Sequence, residues 1–208
     1  MGGAIHLAQI IYGRLGRRLS FWATIARKND WKSDFHPELW ITVNMPDDFL
    51  IREYKPEDFD AVTILWRVAR EKSVPGFQRE KGHFFYEDQD YFQNRILQKN
   101  KVWVVDVDGR PVAFIAMEND FIDQLYVHPD HWRRGVGEVV LGFAREQYPD
   151  HLWLYTLQVN VNARAFYEKN GFVAEKFGFS NPPENEPDVE YHWRKKRSAP
   201  GRMLCSIT

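Results

Sequence analysis

The stretch that decides the fold is Ile122-Asp123-Gln124-Leu125-Tyr126-Val127-His128-Pro129-Asp130-His131-Trp132-Arg133-Arg134-Gly135-Val136-Gly137. A strand-like run leads through a basic, glycine-bearing turn into a helical pattern. The first N–H groups of a helix have no intrahelical acceptor and lie at the positive end of the dipole, so they can bind a phosphate. The stretch therefore predicts an anion site at residues 133–137. A helix start with solvated arginines is the alternative for these residues alone.

Two other phosphate-binding turns fit this stretch less well. A Walker turn ends in Gly-Lys-Ser or Gly-Lys-Thr, and the turn contains neither triplet. A dinucleotide-binding fingerprint needs a third small residue at the position where Val140 stands.

Outward from the turn, the spacing of apolar residues predicts a mixed α/β domain of alternating strands and helices. Asp108-Gly109 indicates a hairpin between two strands, and Pro149 ends the helix that follows the turn. Strands are predicted at residues 49–54, 101–107, 110–117, 121–127, 152–159, 172–179 and 189–193, and helices at residues 56–70, 88–98, 135–148 and 163–170.

A second motif follows after one helix and one strand: Val159-Asn160-Val161-Asn162-Ala163-Arg164-Ala165-Phe166-Tyr167-Glu168-Lys169-Asn170-Gly171-Phe172. Asn162 is a good N-cap for a short helix over residues 163–170. Gly171 can adopt the left-handed conformation that ends such a helix. The motif therefore predicts a short helix that carries Tyr167.

In this order, the two motifs resemble those of the GNAT superfamily of N-acetyltransferases. Residues 127–129 followed by Arg-Arg-Gly-Val-Gly are similar to its pyrophosphate-binding motif, and residues 162–172 to its Asn, Phe-Tyr-Glu-Lys, Gly-Phe motif. The resemblance covers about residues 49–194. It implies an α/β fold in which a twisted mixed sheet, flanked by helices, opens into a V between the strands at Leu125 and Leu154.

The resemblance also implies a binding site for acetyl-CoA as co-substrate. Its pantetheine arm would pair with the backbone of Leu125–Val127 like an added strand. Its pyrophosphate would meet Arg133–Gly137, and Asn162 is assigned to the same site. Trp132 departs from the family pattern, which often has Gln or Arg there, but backbone donors do not depend on that side chain.

Acetylation of an amine needs a proton acceptor, donors to the oxyanion and a proton for the departing thiolate. In the motif, Tyr167 is the predicted general acid, because a phenol with a pKa of about 10 is protonated at neutral pH. A packed aromatic is its alternative role. Backbone N–H groups near Leu125–Val127 are the predicted oxyanion donors. Asp123 and Glu118 are the candidate bases, and a solvated loop carboxylate is the alternative for each.

The predicted function is transfer of an acetyl group to a primary amine, with a small molecule favoured as acceptor. A peptide acceptor, either a protein N-terminus or a lysine, is the first alternative. A noncatalytic acyl-CoA-binding regulatory module and a membrane-associated interaction protein are the others. We expect no metal, because His, Asp and Glu do not occur at metal-ligand spacing. Candidate acceptor-binding residues are Trp66, Phe77, His83, Phe84, Phe85, Tyr86, Glu184, Glu186 and Asp188.

Composition narrows the partners and the compartment. The 28 Lys and Arg balance 29 Asp and Glu, so the overall charge of −1 does not favour nucleic acid. Cys205 is the only cysteine, which excludes a disulfide framework. Apolar runs are too short to span a bilayer, so we expect a soluble, cytoplasmic protein, and a homodimer is allowed. We predict a basic extension at residues 1–44, a catalytic domain at 45–197 and a tail at 198–208.

Overall fold

The computed structural model describes residues 49–181 and 185–196. The predicted extension at residues 1–44, the domain start at Met45, the tail at 198–208 and Glu184 lie outside this range. Among the described residues, no helix combines the length and apolarity needed to cross a membrane.

The described residues form a seven-stranded sheet at the centre of the domain, in the order β1-β2-β3-β4-β5-β7-β6. All neighbours pair antiparallel except β4 and β5, which are parallel. This mixed sheet confirms the predicted fold class. The strands are β1 Leu50–Glu53, β2 Lys101–Val107, β3 Arg110–Glu118, β4 Phe121–Val127, β5 His151–Leu157, β6 Val173–Phe179 and β7 Pro187–Arg194.

In the described part of the chain, six α-helices accompany the sheet: α1 Phe59–Ser73, α2 Phe77–Glu80, α3 Phe85–Tyr91, α4 Leu97–Lys99, α5 Val136–Gln147 and α6 Val161–Lys169. The helix predicted at residues 88–98 is wrong at its start. It begins at Phe85, because the Glu87 carboxylate accepts the Phe84 N–H at 2.7 Å. It also changes to a π-helix over Phe92–Ile96.

Two apolar cores pack against opposite faces of the sheet. Alternate residues of β3 separate them, since Ile115 belongs to one core and Phe114 to the other. The first core lies under α5 and α6 and includes Leu141. The second lies under α1 and the π-helix and includes Phe92.

The sheet is nearly interrupted between β4 and β5. A single residue pair, Phe121 with Trp153, is in register between them. In contrast, β5 pairs with β7 along its whole length, from His151 to Leu157. The two strands therefore separate beyond their first residues, as predicted for the V between Leu125 and Leu154.

Candidate active site

The strand-to-helix turn lies where the two central strands have separated. Helix α5 begins at Val136, and its N-cap Gly135 has a φ of 86°, a conformation that favours glycine. Arg133 also adopts a left-handed conformation, with a φ of 61°. The first N–H groups of α5 lack intrahelical acceptors. The turn thus has the local geometry of an anion site.

The Trp132 side chain connects this turn to the end of β4 through a hydrogen bond. Its indole Nε1–H donates a hydrogen bond of 2.7 Å to the Val127 carbonyl. The residue that departs from the family pattern therefore has a structural role in positioning the turn. The sequence does not predict this contact, because a hydrogen bond from a side chain to the preceding strand produces no periodic pattern of residue types.

Gly137 lies where α5 and α6 pack closely against each other. A Cβ atom at this position would lie 2.9 Å from Cζ of Phe166, closer than real Cβ contacts allow. The glycine therefore lets the Phe166 ring approach the start of α5.

A cavity of about 590 Å³ extends from the turn along β4 towards α6. Two residues of the predicted cofactor set, Arg134 and Val136, do not line it, and the Val136 side chain is buried in the core. Those that line it are Leu125, Tyr126, Val127, Arg133, Gly135, Gly137 and Asn162.

The predicted N-cap at Asn162 is wrong. Helix α6 begins at Val161, and the Asn160 side chain accepts the Ala163 N–H at 3.1 Å. Asn160 is therefore the N-cap, and Asn162 lies within the first turn of the helix. The predicted left-handed glycine after the helix is confirmed, since Gly171 has a φ of 81°.

Tyr167 lies on α6 and faces the same cavity. Its side chain is buried and packs against Phe166, Phe172 and Tyr191, with ring centroids 5.3, 5.5 and 6.2 Å away. Burial, assisted by the neighbouring Tyr126, raises the pKa of the Tyr167 phenol well above its ordinary value. The hydroxyl is therefore protonated throughout the neutral range and can act as a proton donor.

A second and larger cavity, of about 1240 Å³, adjoins the first. We call it the acceptor cavity and the first one the cofactor cavity. Aromatic residues of β4 and β5, among them Phe121, Trp153 and Tyr155, form part of its wall. The two cavities share Ser73, Asp123, Gln124, Tyr126, Tyr155, Thr156 and Asn160. We call this shared boundary the junction.

Asp123 lies at the junction because β4 has a bulge there. Ala116 pairs with Gln124 and Met117 with Ile122, which leaves Asp123 as the extra residue. Asn100 donates a hydrogen bond of 2.8 Å to its carboxylate. Burial raises the pKa of Asp123, and the hydrogen bond from Asn100 opposes this shift.

Glu118, the other candidate base, stands apart from the junction. It is exposed at the end of β3 and lines the acceptor cavity only.

Most of the residues predicted to bind the acceptor lie elsewhere. Phe77 and Asp188 line the acceptor cavity. Trp66 is buried in the second core, and Phe84 and Tyr86 stack on each other with both rings exposed. Residues that sequence reasoning missed include Trp153, Tyr155 and Glu190. The alternation of residue types along β5 and β7 could have indicated these residues, because every second side chain of a strand lies on the same face of the sheet.

Within the described ranges, no three His, Cys, Asp or Glu side chains are arranged to hold a metal ion.

Comparison with known proteins identifies the chain's relatives. The sequence model of the acetyltransferase (GNAT) family matches residues 61–172. Peptidyl-lysine N-acetyltransferase YiaC of Escherichia coli (strain K12) is 28% identical over 124 residues, which cover 59% of this chain and 82% of that protein. Probable N-acetyltransferase Rv2775 of Mycobacterium tuberculosis is 27% identical over 172 residues, which cover 74% of this chain and 98% of that protein.

Solved structures share the fold. The solution structure of apo-form YjaB from Escherichia coli matches with a TM-score of 0.60 at 22% identity, covering 69% of this chain and 96% of that one. The ribosomal-protein-S18-alanine N-acetyltransferase of Escherichia coli matches with a TM-score of 0.53 at 17% identity, covering 74% of this chain and 97% of that one.

Proposed function

Because the chain belongs to the acetyltransferase (GNAT) family and is an acetyl-CoA-dependent N-acetyltransferase, we propose that it acetylates a primary alkyl amine at the junction of its two cavities. The observation that carries this proposal is the shared boundary, to which Asp123, Tyr126 and Tyr155 belong. An acetyl thioester entering from one side and an amine from the other would meet there, which converts an encounter between two molecules into a reaction within one site.

The start of α5 and the edge of β4, which both line the cofactor cavity, support the proposal that acetyl-CoA binds there and supplies the acetyl thioester. We assign its pyrophosphate to the helix terminus at Arg133–Gly137, where N–H groups and a guanidinium favour anions. We assign its pantetheine arm to the open edge of β4 at Leu125–Val127. Asn162, in the first turn of α6, completes this proposed set.

Tyr167 is the proposed general acid. It lines the cofactor cavity, and its raised pKa keeps a proton on the phenol. Tyr167 would donate that proton to the departing thiolate. Backbone N–H groups of β4 near Leu125–Val127 would stabilise the negative charge on the carbonyl oxygen.

Asp123 is the proposed base that takes a proton from the attacking nitrogen. It lies at the junction, whereas Glu118 lines the acceptor cavity only. A carboxylate with a raised pKa is also the stronger base once it is ionised. Asp123 and Tyr167 together would thus balance one proton lost by nitrogen against one gained by sulfur.

The acceptor is proposed to be an amine on an aliphatic chain. The acceptor cavity contains the aromatic side chains Trp153 and Tyr155 beside the carboxylates Asp188 and Glu190, a combination that suits an alkyl ammonium group. A small molecule with such an amine is one candidate. A lysine side chain is the other, favoured by the volume of the cavity and by the relative whose name is peptidyl-lysine N-acetyltransferase.

The test is acetyl-CoA turnover, measured as released thiol and as acetylated product by mass spectrometry, across alkyl amines, polyamines, aminoglycosides and lysine peptides. We expect thiol release to depend on at least one amine and to match its acetylation one to one. CoA binding by calorimetry without turnover on any amine would instead indicate a noncatalytic acyl-CoA-binding module.

A further inference from the structure

Four ionisable side chains form a continuous hydrogen-bonded line beside the acceptor cavity. Asp120 Oδ2 lies 2.6 Å from His151 Nδ1. His151 Nε2 lies 2.9 Å from His192 Nδ1, and His192 Nε2 lies 2.8 Å from Glu190 Oε1. We call these four residues the His-carboxylate chain. Its members follow one another instead of surrounding a common point, which is the geometry of a proton path and not of a metal site.

Counting hydrogens shows that this chain has a place for one extra proton. Each of its three contacts needs one hydrogen between the two heavy atoms. Ionised carboxylates supply none, and each neutral imidazole supplies one. With both histidines neutral, one contact would therefore bring two lone pairs together. When each ring carries its hydrogen on Nδ1, the incomplete contact is the one between His192 Nε2 and Glu190 Oε1. A proton taken up by Glu190 completes it.

One end of the chain touches the junction and the other meets solvent. The Tyr155 hydroxyl, at the junction, donates a hydrogen bond of 2.9 Å to the second oxygen of Glu190. At the other end, the Asp120 side chain is 40% exposed, whereas that of His192 is 12% exposed. A proton that enters at Glu190 can therefore pass along the rings of His192 and His151, which are partly shielded from solvent, to Asp120 and then to water.

The proposed reaction needs such a path. An alkyl amine arrives as an ammonium ion at neutral pH and loses two protons from nitrogen before it becomes an amide. One is balanced by the proton that Tyr167 would give to sulfur. The other is released to solvent in every turnover. This requirement rests on the proposed function, because it presupposes an ammonium acceptor at the junction.

We propose that the His-carboxylate chain carries this released proton. Glu190 takes a proton from the bound ammonium ion, so that an N–H bond breaks and an O–H bond forms. Glu190 passes this hydrogen to His192 Nε2, the Nδ1 hydrogen of His192 crosses to His151 Nε2, and the Nδ1 hydrogen of His151 crosses to Asp120, which gives one proton to water. Both rings then carry their hydrogen on Nε2, and proton exchange with water returns them to the Nδ1–H form before the next turnover. One proton enters and one leaves. Glu190 is the catalytic residue of this path, and His151 and His192 are positioning residues that act through it.

The charges around the two rings support an ionised Glu190 that can accept a proton. The contacts that Glu190 makes with His192 and Tyr155 lower its pKa. Burial, together with the contact to Glu190, raises the pKa of Tyr155 to about 12, so its hydroxyl stays a donor. The titratable and charged groups that face the rings are Asp120 from the turn before β4, Tyr155 from β5, Glu175 and Lys176 from β6, and Glu190 and Arg194 from β7.

The test compares acceptors that do and do not have to lose this proton. One peptide, with a blocked N-terminus, carries a lysine. Its partner carries 5,5-difluorolysine, whose fluorines lower the pKa of the ammonium group so that more of it arrives neutral. In His192→Gln, an amide replaces the ring and cannot relay a proton. We expect kcat/KM for the lysine peptide to fall about 10²-fold and that for the difluorolysine peptide to stay near the native value.

Glu175→Gln is the matched control, because Glu175 lies 3.7 Å from His192 but outside the chain. It should change the rate with neither peptide. An equal loss with both peptides in His192→Gln, or no loss with either, would overturn the relay while leaving the proposed function intact. A native enzyme that acetylates neither peptide would overturn both.

A measurement on the native protein keeps the inference testable if His192→Gln does not fold. In ¹⁵N NMR, a scalar coupling should connect Nε2 of His151 with Nδ1 of His192, because one hydrogen lies between these two atoms. The absence of this coupling in the folded protein would refute the hydrogen-bonded relay.

Discussion

Replacing Tyr167 by Phe removes the proposed proton donor and almost nothing else. The Tyr167 ring is buried against Phe166, Phe172 and Tyr191, and a phenylalanine can keep all three contacts. The lost group is one hydroxyl, which burial keeps protonated. The substitution should therefore separate catalysis from packing.

We expect kcat to fall by about 10²- to 10⁴-fold, the usual contribution of a positioned acid. This corresponds to about 2.7–5.5 kcal/mol in the activation barrier. The Kd for CoA, measured by calorimetry, should stay near the native value, because the helix terminus at Arg133–Gly137 is unchanged. Rates are to be followed as thiol release with an accepted amine under conditions where chemistry limits turnover.

Tyr191→Phe is the control for removing a buried phenol. The Tyr191 hydroxyl donates to Glu168 at 2.6 Å and accepts from Arg164 at 3.3 Å, and it does not line either cavity. Its loss should cost about 1 kcal/mol of folding free energy and leave kcat unchanged. If the folded Tyr167→Phe enzyme turned over at the native rate, Tyr167 could not be the acid, and water would be the better candidate.

Gly135→Glu should weaken CoA binding sharply, since it places a carboxylate at the helix N-terminus and a side chain at a φ of 86°; unchanged affinity in a folded variant would move the pyrophosphate site elsewhere. Gly142→Ala, where an added Cβ meets no atom within 4 Å, should raise the free energy of unfolding in urea by about 1 kcal/mol without changing CoA affinity, and a destabilised variant would contradict this account of α5. Because burial raises the pKa of Asp123, kcat/KM should increase with pH around a pKa above that of an ordinary aspartate. If the same increase persisted in Asp123→Asn, Asp123 would be excluded as the base. The raised pKa of Asp123 makes the stability of the fold depend on pH in the opposite direction. The stability that Asp123 contributes is full below the pKa of Asp123 in the unfolded chain, and it is lost as pH rises through the pKa of Asp123 in the folded protein. A chain that starts at Met45 should fold and bind CoA, whereas insolubility or a missing thermal transition would shift the domain boundary.

The strands could be predicted because their signals are local. The limits of β2 and β4 agree with prediction at both ends, since Asp108-Gly109 and His128-Pro129 interrupt the apolar alternation. The N-cap of α6 could not be predicted in the same way. Asn160 and Asn162 have the same cap propensity, and only the backbone conformation decides which side chain meets a free N–H.

The acceptor cavity was predicted poorly for a different reason. Its wall combines β5 with β7, which pair in the sheet but are separated in sequence by α6 and β6. Contacts such as His151 with His192 depend on that register, which composition and periodicity do not encode. The predicted acceptor set instead combined aromatic side chains with acidic residues of a late loop, because that combination suits a cationic amine. One of its members, Trp66 on α1, is buried in the second core.

Because only one pair of residues is in register between β4 and β5, the stability of the fold and the rate of turnover make opposite demands at this point of the sheet. Pairing that continued past Phe121 and Trp153 would add hydrogen bonds and apolar contact, and the folded state would gain free energy. The same pairing would close the space in which a thioester and an amine could meet. At the boundary between β4 and β5, selection for thermal stability and selection for the rate of turnover therefore act in opposite directions. Stabilising substitutions belong on surfaces remote from it, such as the hairpin between β2 and β3.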